Sequence, residues 1–166
     1  YNRFYFVHPD GAVQHYDKKH LLTFGGEHKR FTAGTERVVV NFRGVRILLE
    51  VCYDLRFPVW SRNLGDYDMI LYVASWPTPR VDAWSALLRA RAIENQCYVA
   101  GVNRMGTDPA CEYSGGSAII DPYGKTIAEC PWSRESAVSA DIDMEALQAF
   151  RKKFPVLDDA DPFTLI

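Results

Sequence analysis

The chain has 166 residues, 48% of them hydrophobic and 24% charged, with a net charge of −2. That length suits one domain or most of one, and the composition is too apolar for a disordered chain. The charge gives no electrostatic basis for binding nucleic acid or an anionic membrane, and no apolar run approaches the roughly 20 residues of a bilayer span. A signal-peptide pattern is absent from the first residues, which are polar and aromatic. They read Tyr1-Asn2-Arg3-Phe4-Tyr5-Phe6, a strand already under way, as though the chain starts inside a fold. The four cysteines, Cys52, Cys97, Cys111 and Cys130, make no C-x-x-C pair and no zinc-ligand spacing with histidine. They do not read as a disulfide framework, so a reducing cytoplasm is expected.

Residues 4–7 and 13–16 are β-like runs around His8-Pro9-Asp10-Gly11, whose turn chemistry predicts a hairpin. Residues 23–36, rich in Gly and charge, read as a loop with Glu27 in its middle. Strands are predicted over 38–42 and 45–52, and a short helix over 58–64 ended by Gly65. The nearly continuous apolar run 69–74 predicts a strand buried on both faces. Thr78 as cap and Pro79 at the first helical position predict a helix start, with Trp84, Leu87, Leu88 and Ile93 on its apolar side and Arg89 and Glu94 outward. Another buried strand follows at 97–102, so the order from 45 to 102 argues for parallel α/β layering. Beyond it, 106–114 reads as a polar loop, 116–121 and 125–130 as a second hairpin, and 136–142 as a strand. Asp143 then caps a helix carrying Met144, Leu147 and Phe150, and an extended tail begins at Pro155. A single domain spans 1–166.

Cys52 lies where an apolar strand ends and the chain turns toward a helix, the position at which open α/β folds present reactive groups. Amide dipoles of such a turn favour a thiolate and can hold an oxyanion, so Cys52 is a candidate nucleophile; a buried core cysteine is the alternative. By strand alternation Glu50 shares a face with Cys52 and is expected to be buried near it.

Tyr16-Asp17-Lys18-Lys19-His20-Leu21, Glu27 with Gly34, Glu50-Val51-Cys52-Tyr53-Asp54-Leu55-Arg56-Phe57-Pro58 and Arg91-Ala92-Ile93-Glu94-Asn95-Gln96 follow one another in the order seen in the nitrilase superfamily of carbon–nitrogen hydrolases. Gly115-Gly116-Ser117 and Asp121-Pro122-Tyr123-Gly124 match that family's later hairpin. The C-Y-D-x-R-F-P signature resembles the omega-amidase-like branch most closely. The resemblance implies a four-layer α-β-β-α sandwich, here its carboxyl-terminal two thirds, associated as a homodimer or larger homo-oligomer. It places the nucleophile at Cys52, a catalytic lysine at Lys18 and the second of two glutamates at Glu27. The first glutamate, the general base, falls upstream of these residues. The resemblance therefore implies a chain lacking its amino-terminal third, and inactive alone.

The chemistry suits these residue types. A Cys52 thiolate attacks an amide carbon, Lys18 and the Tyr53 N–H hold the oxyanion, and a thioester is hydrolysed with release of ammonia. Trp76, after a strand end, is a candidate to line the pocket or an ordinary packed aromatic. Arg80 is the candidate grip for a substrate carboxylate. Asp54 and Arg56 read as substrate contacts or, more simply, as a cap and an ion pair below the turn. The substrate expected is a small linear amide bearing a carboxylate, such as the ω-amide of a 2-oxo acid, with no metal and no organic cofactor. The alternatives are an N-carbamoyl amino acid, a nitrile (weaker, because Tyr-Asp rather than Trp-Glu follows the cysteine), or a non-catalytic module of an assembly. A cysteine protease is disfavoured because no histidine here carries a local pairing motif.

Overall fold

The computed structural model describes residues 1–164. Ten strands and three α-helices form a layered α/β unit. A hairpin of β1 (Arg3–Val7) and β2 (Val13–Asp17) stands beside a six-stranded sheet ordered β10-β9-β6-β5-β4-β3. In that sheet β4 (Val45–Val51), β5 (Met69–Ala74) and β6 (Tyr98–Asn103) are parallel. The edges are antiparallel: β3 (Val39–Phe42) on β4 at one side, and β9 (Ala118–Ile120) with β10 (Thr126–Glu129) at the other.

The near-continuous apolar character of the three central strands follows from burial on both faces. On one face Leu48, Ile70, Tyr72 and Val99 pack against Trp84 and Leu88 of α2 (Val81–Glu94). On the other, Ile47, Leu49, Met69 and Tyr98 pack with Tyr16 of the hairpin, Trp60 of α1 (Pro58–Ser61) and Leu147 of α3 (Met144–Lys153). Each such side chain contributes roughly 1.5–3 kcal/mol when fully buried, so the two faces hold the sheet jointly. Gly101 permits the close approach of α2, since a Cβ there would lie 2.5 Å from a Leu88 methyl.

Several sequence expectations change. Cys52 is not the last strand residue but the first of a 3-10 turn, Cys52–Arg56. Helix α1 ends at Ser61, well short of Gly65, because the Asn63 N–H and side chain bond Asn95 instead. Thr78 does not cap α2: a 3-10 turn, Thr78–Arg80, leads into it, and the Thr78 hydroxyl has no partner among the described residues. Ile93 is exposed while Arg91 is buried, its guanidinium donating to the Leu55 carbonyl at 2.6 Å and to Glu94 Oε1 at 2.8 Å. The polar stretch 106–114 contains a hairpin of β7 (Met105–Thr107) and β8 (Glu112–Ser114). Residues 136–142 form no strand; their apolar alternation finds no partner. The α3 cap is as expected, Asp143 Oδ1 accepting from the Ala146 N–H at 2.8 Å.

Candidate active site

Parallel strands align their carboxyl ends, and the register Val51↔Val73 and Ala74↔Asn103 brings the turns after β4, β5 and β6 to one rim. Cys52 sits there with φ +48°, in the left-handed region that costs a non-glycine residue about 1–2 kcal/mol. The strain throws the side chain out of the sheet, with Sγ 3.8 Å from the Ser75 carbonyl oxygen at the end of β5. The Tyr53 N–H belongs to the first turn of the 3-10 segment, where such helices leave their amides without an internal acceptor.

Lys18 follows β2 and is buried, 1% exposed. Its N–H donates to the Asn2 carbonyl and its own carbonyl accepts from the Gly34 N–H, each at 2.9 Å. Gly34 is needed for that return of the loop, because a Cβ would fall 2.0 Å from the Asp17 carbonyl oxygen. Glu27, brought back by the same loop, takes the Lys18 ammonium on Oε2 at 2.7 Å. The same oxygen accepts from the Leu22 N–H at 2.7 Å, and Oε1 from Asn2 Nδ2 at 3.3 Å. Burial pushes the Glu27 carboxyl up, but Lys18 and the Leu22 N–H outweigh it and hold it below the ordinary carboxylate range. A carboxylate so engaged is a poor base and a good orienter.

Lys18, Glu27 and Cys52 line one cavity of about 490 Å³ with Asn2, Ser75 and Tyr113, within the range of roughly 300–1,000 Å³ common to small-molecule sites. An adjoining recess, also bordered by Cys52, carries Tyr53, Arg56, Trp76 and Arg80. Burial raises the Cys52 thiol above its ordinary value, and the nearby Lys18 charge only partly offsets this. The turn dipoles that favour a thiolate are thus opposed by desolvation, which disfavours the charged form of Cys52.

Trp76 is a pocket residue and a packed aromatic at once. Its ring N–H donates to the Arg80 carbonyl at 2.7 Å, and its backbone N–H is taken by Asn103 Oδ1 at 2.7 Å. Arg56 lies over the Trp76 ring, 4.9 Å from its centroid. Among the described residues neither Arg56 nor Arg80 has a carboxylate within ion-pair distance. Among the described residues no three His, Cys, Asp or Glu side chains converge as a metal would require.

Sequence reasoning missed the scale of Asp54 and the part played by Asn103. Asp54 is fully buried and accepts from the Tyr16 hydroxyl (2.8 Å), the His20 N–H (2.9 Å), His20 Nδ1 (2.9 Å) and the Val51 N–H (3.1 Å). It caps the turn, as half of the simpler reading had it, and ties the Lys18 segment to the Cys52 turn; the expected ion pair is not formed, because Arg56 lies over Trp76 instead. Asn103 Nδ2 donates to the Trp76 and Gly115 carbonyls at 3.0 and 2.7 Å, locking the rim. Replacing Asp54 by Ala orphans several buried donors at roughly 1–3 kcal/mol each. Asp54→Ala is expected to cost about 3 kcal/mol, read as a fall of about 6–12 °C in Tm.

A sheet rim that presents a strained cysteine beside a buried lysine–glutamate pair is an arrangement suited to nucleophilic attack on a carbonyl carbon. The chain belongs to the carbon–nitrogen hydrolase family, whose pattern matches residues 1–152. It is 54% identical over 99% of its length to the omega-amidase YafV of Escherichia coli, and spans 64% of that protein. To the 2-oxoglutaramate amidase of Bacillus subtilis it is 40% identical over 96% of its length, spanning 62% of that relative. The crystal structure of XC1258 from Xanthomonas campestris, a carbon–nitrogen hydrolase superfamily protein with an arsenic adduct in its active site, superposes with a TM-score of 0.95. That pair is 48% identical, and the match covers 99% of this chain and 65% of the other. The mixed α/β architecture is that of the nitrilase-type sandwich. These matches take in Lys18, Glu27 and Cys52 in one run, span 62–65% of the relatives' lengths, and lend no support to the expectations of an inactive chain or of a non-catalytic module.

Proposed function

We propose that the protein hydrolyses the amide bond of a small linear amide carrying a carboxylate, an ω-amide of a 2-oxo dicarboxylic acid. The observation that carries the reading is Cys52, strained into a cavity it shares with the Lys18–Glu27 pair. The names of the relatives, omega-amidase and 2-oxoglutaramate amidase, point to the same substrate class.

In this mechanism Cys52 Sγ bonds to the amide carbon as the carbonyl oxygen takes up negative charge. Lys18 Nζ and the Tyr53 N–H hold that oxyanion, while Glu27 keeps the lysine aimed. The carbon–nitrogen bond breaks, and the proton given up by the thiol leaves with the nitrogen as ammonia. Water then adds to the thioester carbon, the carbon–sulfur bond breaks, and carboxylic acid and thiol are regenerated. The recess bordered by Trp76 and Arg80 receives the distal carboxylate, for which a planar guanidinium fork is suited.

Ammonia release over a panel of ω-amides, N-carbamoyl amino acids, nitriles and uncharged amides tests the assignment. Preference for the ω-amides supports it, and turnover of carbamoyl amino acids or nitriles alone overturns it. Arg80→Ala should raise KM for the carboxylate-bearing amide about 10–100-fold, the worth of a charge-assisted hydrogen bond, with kcat little changed. An uncharged amide of equal length should be turned over as by the unaltered enzyme. Equal losses on both substrates would remove Arg80 from carboxylate recognition.

A further inference from the structure

Glu50 is fully buried two residues before the nucleophile, and the mechanism above makes no use of it. Its Oε2 lies 2.9 Å from Ser61 Oγ, which lies 3.2 Å from the Tyr72 hydroxyl. The chain Glu50–Ser61–Tyr72 therefore joins β4, helix α1 and β5 around the Cys52 turn. Ser61 is the last residue of α1, and its carbonyl also accepts from the Tyr67 hydroxyl. The second carboxyl oxygen, Oε1, has no partner among the described residues.

That orphan oxygen decides between two ways of filling the chain with protons. An ionised Glu50 accepts from Ser61, which accepts from Tyr72, and leaves a charged oxygen bare in an apolar layer. An un-ionised Glu50 donates from Oε2 to Ser61, and Ser61 donates to Tyr72. The bare oxygen is then a neutral carbonyl, which is far cheaper to bury. The neighbours act in the same direction. Asp54 of the nucleophile turn and the hydroxyls of Tyr16, Tyr67 and Tyr72 face Glu50, as does the Cys97 thiol, and Arg91 of α2 brings positive charge. The Arg91 guanidinium spends its two terminal nitrogens on Leu55 and Glu94, with Nε unpartnered among the described residues.

We propose that Glu50, as an un-ionised acid, is the positioning residue of the Cys52 turn, fixing helix α1 through Ser61 and keeping negative charge out of the layer beneath the thiol. The inference rests on Cys52 as the reactive residue of the proposed function. Burial first, and then the Asp54 charge, push the Glu50 carboxyl up to about 8. Below that pH the acid form persists in the folded chain. Above it the hydrogen-bond direction reverses and a second negative charge joins Asp54.

The test is alkylation of Cys52 by iodoacetamide, followed by peptide mass spectrometry, in the unaltered protein and in Glu50→Gln, Glu50→Ala and Ser61→Ala. An amide mimics the un-ionised acid, so Glu50→Gln should alkylate within about threefold of the unaltered protein at pH 6.5 and at least threefold faster at pH 9. Its Tm should also exceed that of the unaltered protein at pH 9 and match it at pH 4. The sign follows from a raised folded-state pKa: unfolding releases the proton, so stability falls as pH rises from the unfolded value toward about 8, and glutamine escapes that loss. Glu50→Ala and Ser61→Ala should slow alkylation about tenfold at pH 6.5. A glutamine variant that tracks the unaltered protein at pH 9, or alanine variants that are folded and as reactive, would overturn the proposal. If the alanine variants do not fold, the glutamine comparison decides alone. Should Cys52 respond as expected while no amide is hydrolysed, the proposed function falls and the role of Glu50 stands.

Discussion

Replacing Cys52 by Ala or Gly should abolish amide hydrolysis, lowering kcat on the order of 10⁵–10⁶-fold as loss of a covalent nucleophile does elsewhere. The stability of the two variants should differ in a way that reports the strain at this position. Alanine keeps the left-handed φ of +48° and should melt close to the unaltered protein. Glycine adopts that conformation freely and should gain up to about 1 kcal/mol in urea denaturation, less what it loses in chain entropy. A more stable and inactive Cys52→Gly protein would place the backbone strain in the service of presenting the sulfur. Residual activity in either variant, above that of contaminating host enzymes, would remove the thioester route.

The parts of the fold that were legible in sequence are those where burial left a pattern. The apolar runs 69–74 and 97–102 and the motif order from Tyr16 to Gln96 marked the parallel centre and the residues at its rim. What was illegible has physical causes too. The 105–114 hairpin consists of three-residue strands with little buried surface, so no alternation marks it. Residues 136–142 alternate convincingly but are not paired, because a pattern of alternation does not by itself bring a strand to a ladder partner. Arg91 shares the buried helix face of Trp84 and Leu88, but its charge hid that from a pattern of apolar residues, since a guanidinium that reaches Leu55 and Glu94 can be buried where an unpartnered one cannot. In the site, Lys18, Glu27 and Cys52 were named by their order. The positive φ of Cys52, the four bonds converging on Asp54 and the rise of the thiol pKa were not, because each depends on three-dimensional company.

Lys18 carries two burdens that a pair of variants can separate. As the proposed oxyanion cation its loss should lower kcat/KM at least 10²–10³-fold. As the partner of Glu27 it also compensates a carboxylate whose side chain is only 22% exposed. Glu27 sits below its ordinary pKa in the folded chain, so it contributes stability above its unfolded value that is lost as pH falls through the folded one. Lys18→Ala removes the ion that depresses this pKa and leaves burial opposed only by the bonds from the Leu22 N–H and Asn2, so at pH 7 most of the contribution is lost. Breaking a fully buried pair costs about 3–5 kcal/mol; the partial exposure of Glu27 discounts this to about 2 kcal/mol. Adding Glu27→Gln to Lys18→Ala deletes the stranded charge. The double variant should therefore recover most of the stability lost by the single one, measured by urea denaturation at pH 7. Its kcat/KM should stay as low as that of Lys18→Ala, because a neutral amide restores packing without restoring a cation beside the Cys52 sulfur. Recovery of both would make Lys18 a structural partner of Glu27 and nothing more; recovery of stability alone assigns the ion pair two separable tasks, folding the loop and charging the cavity.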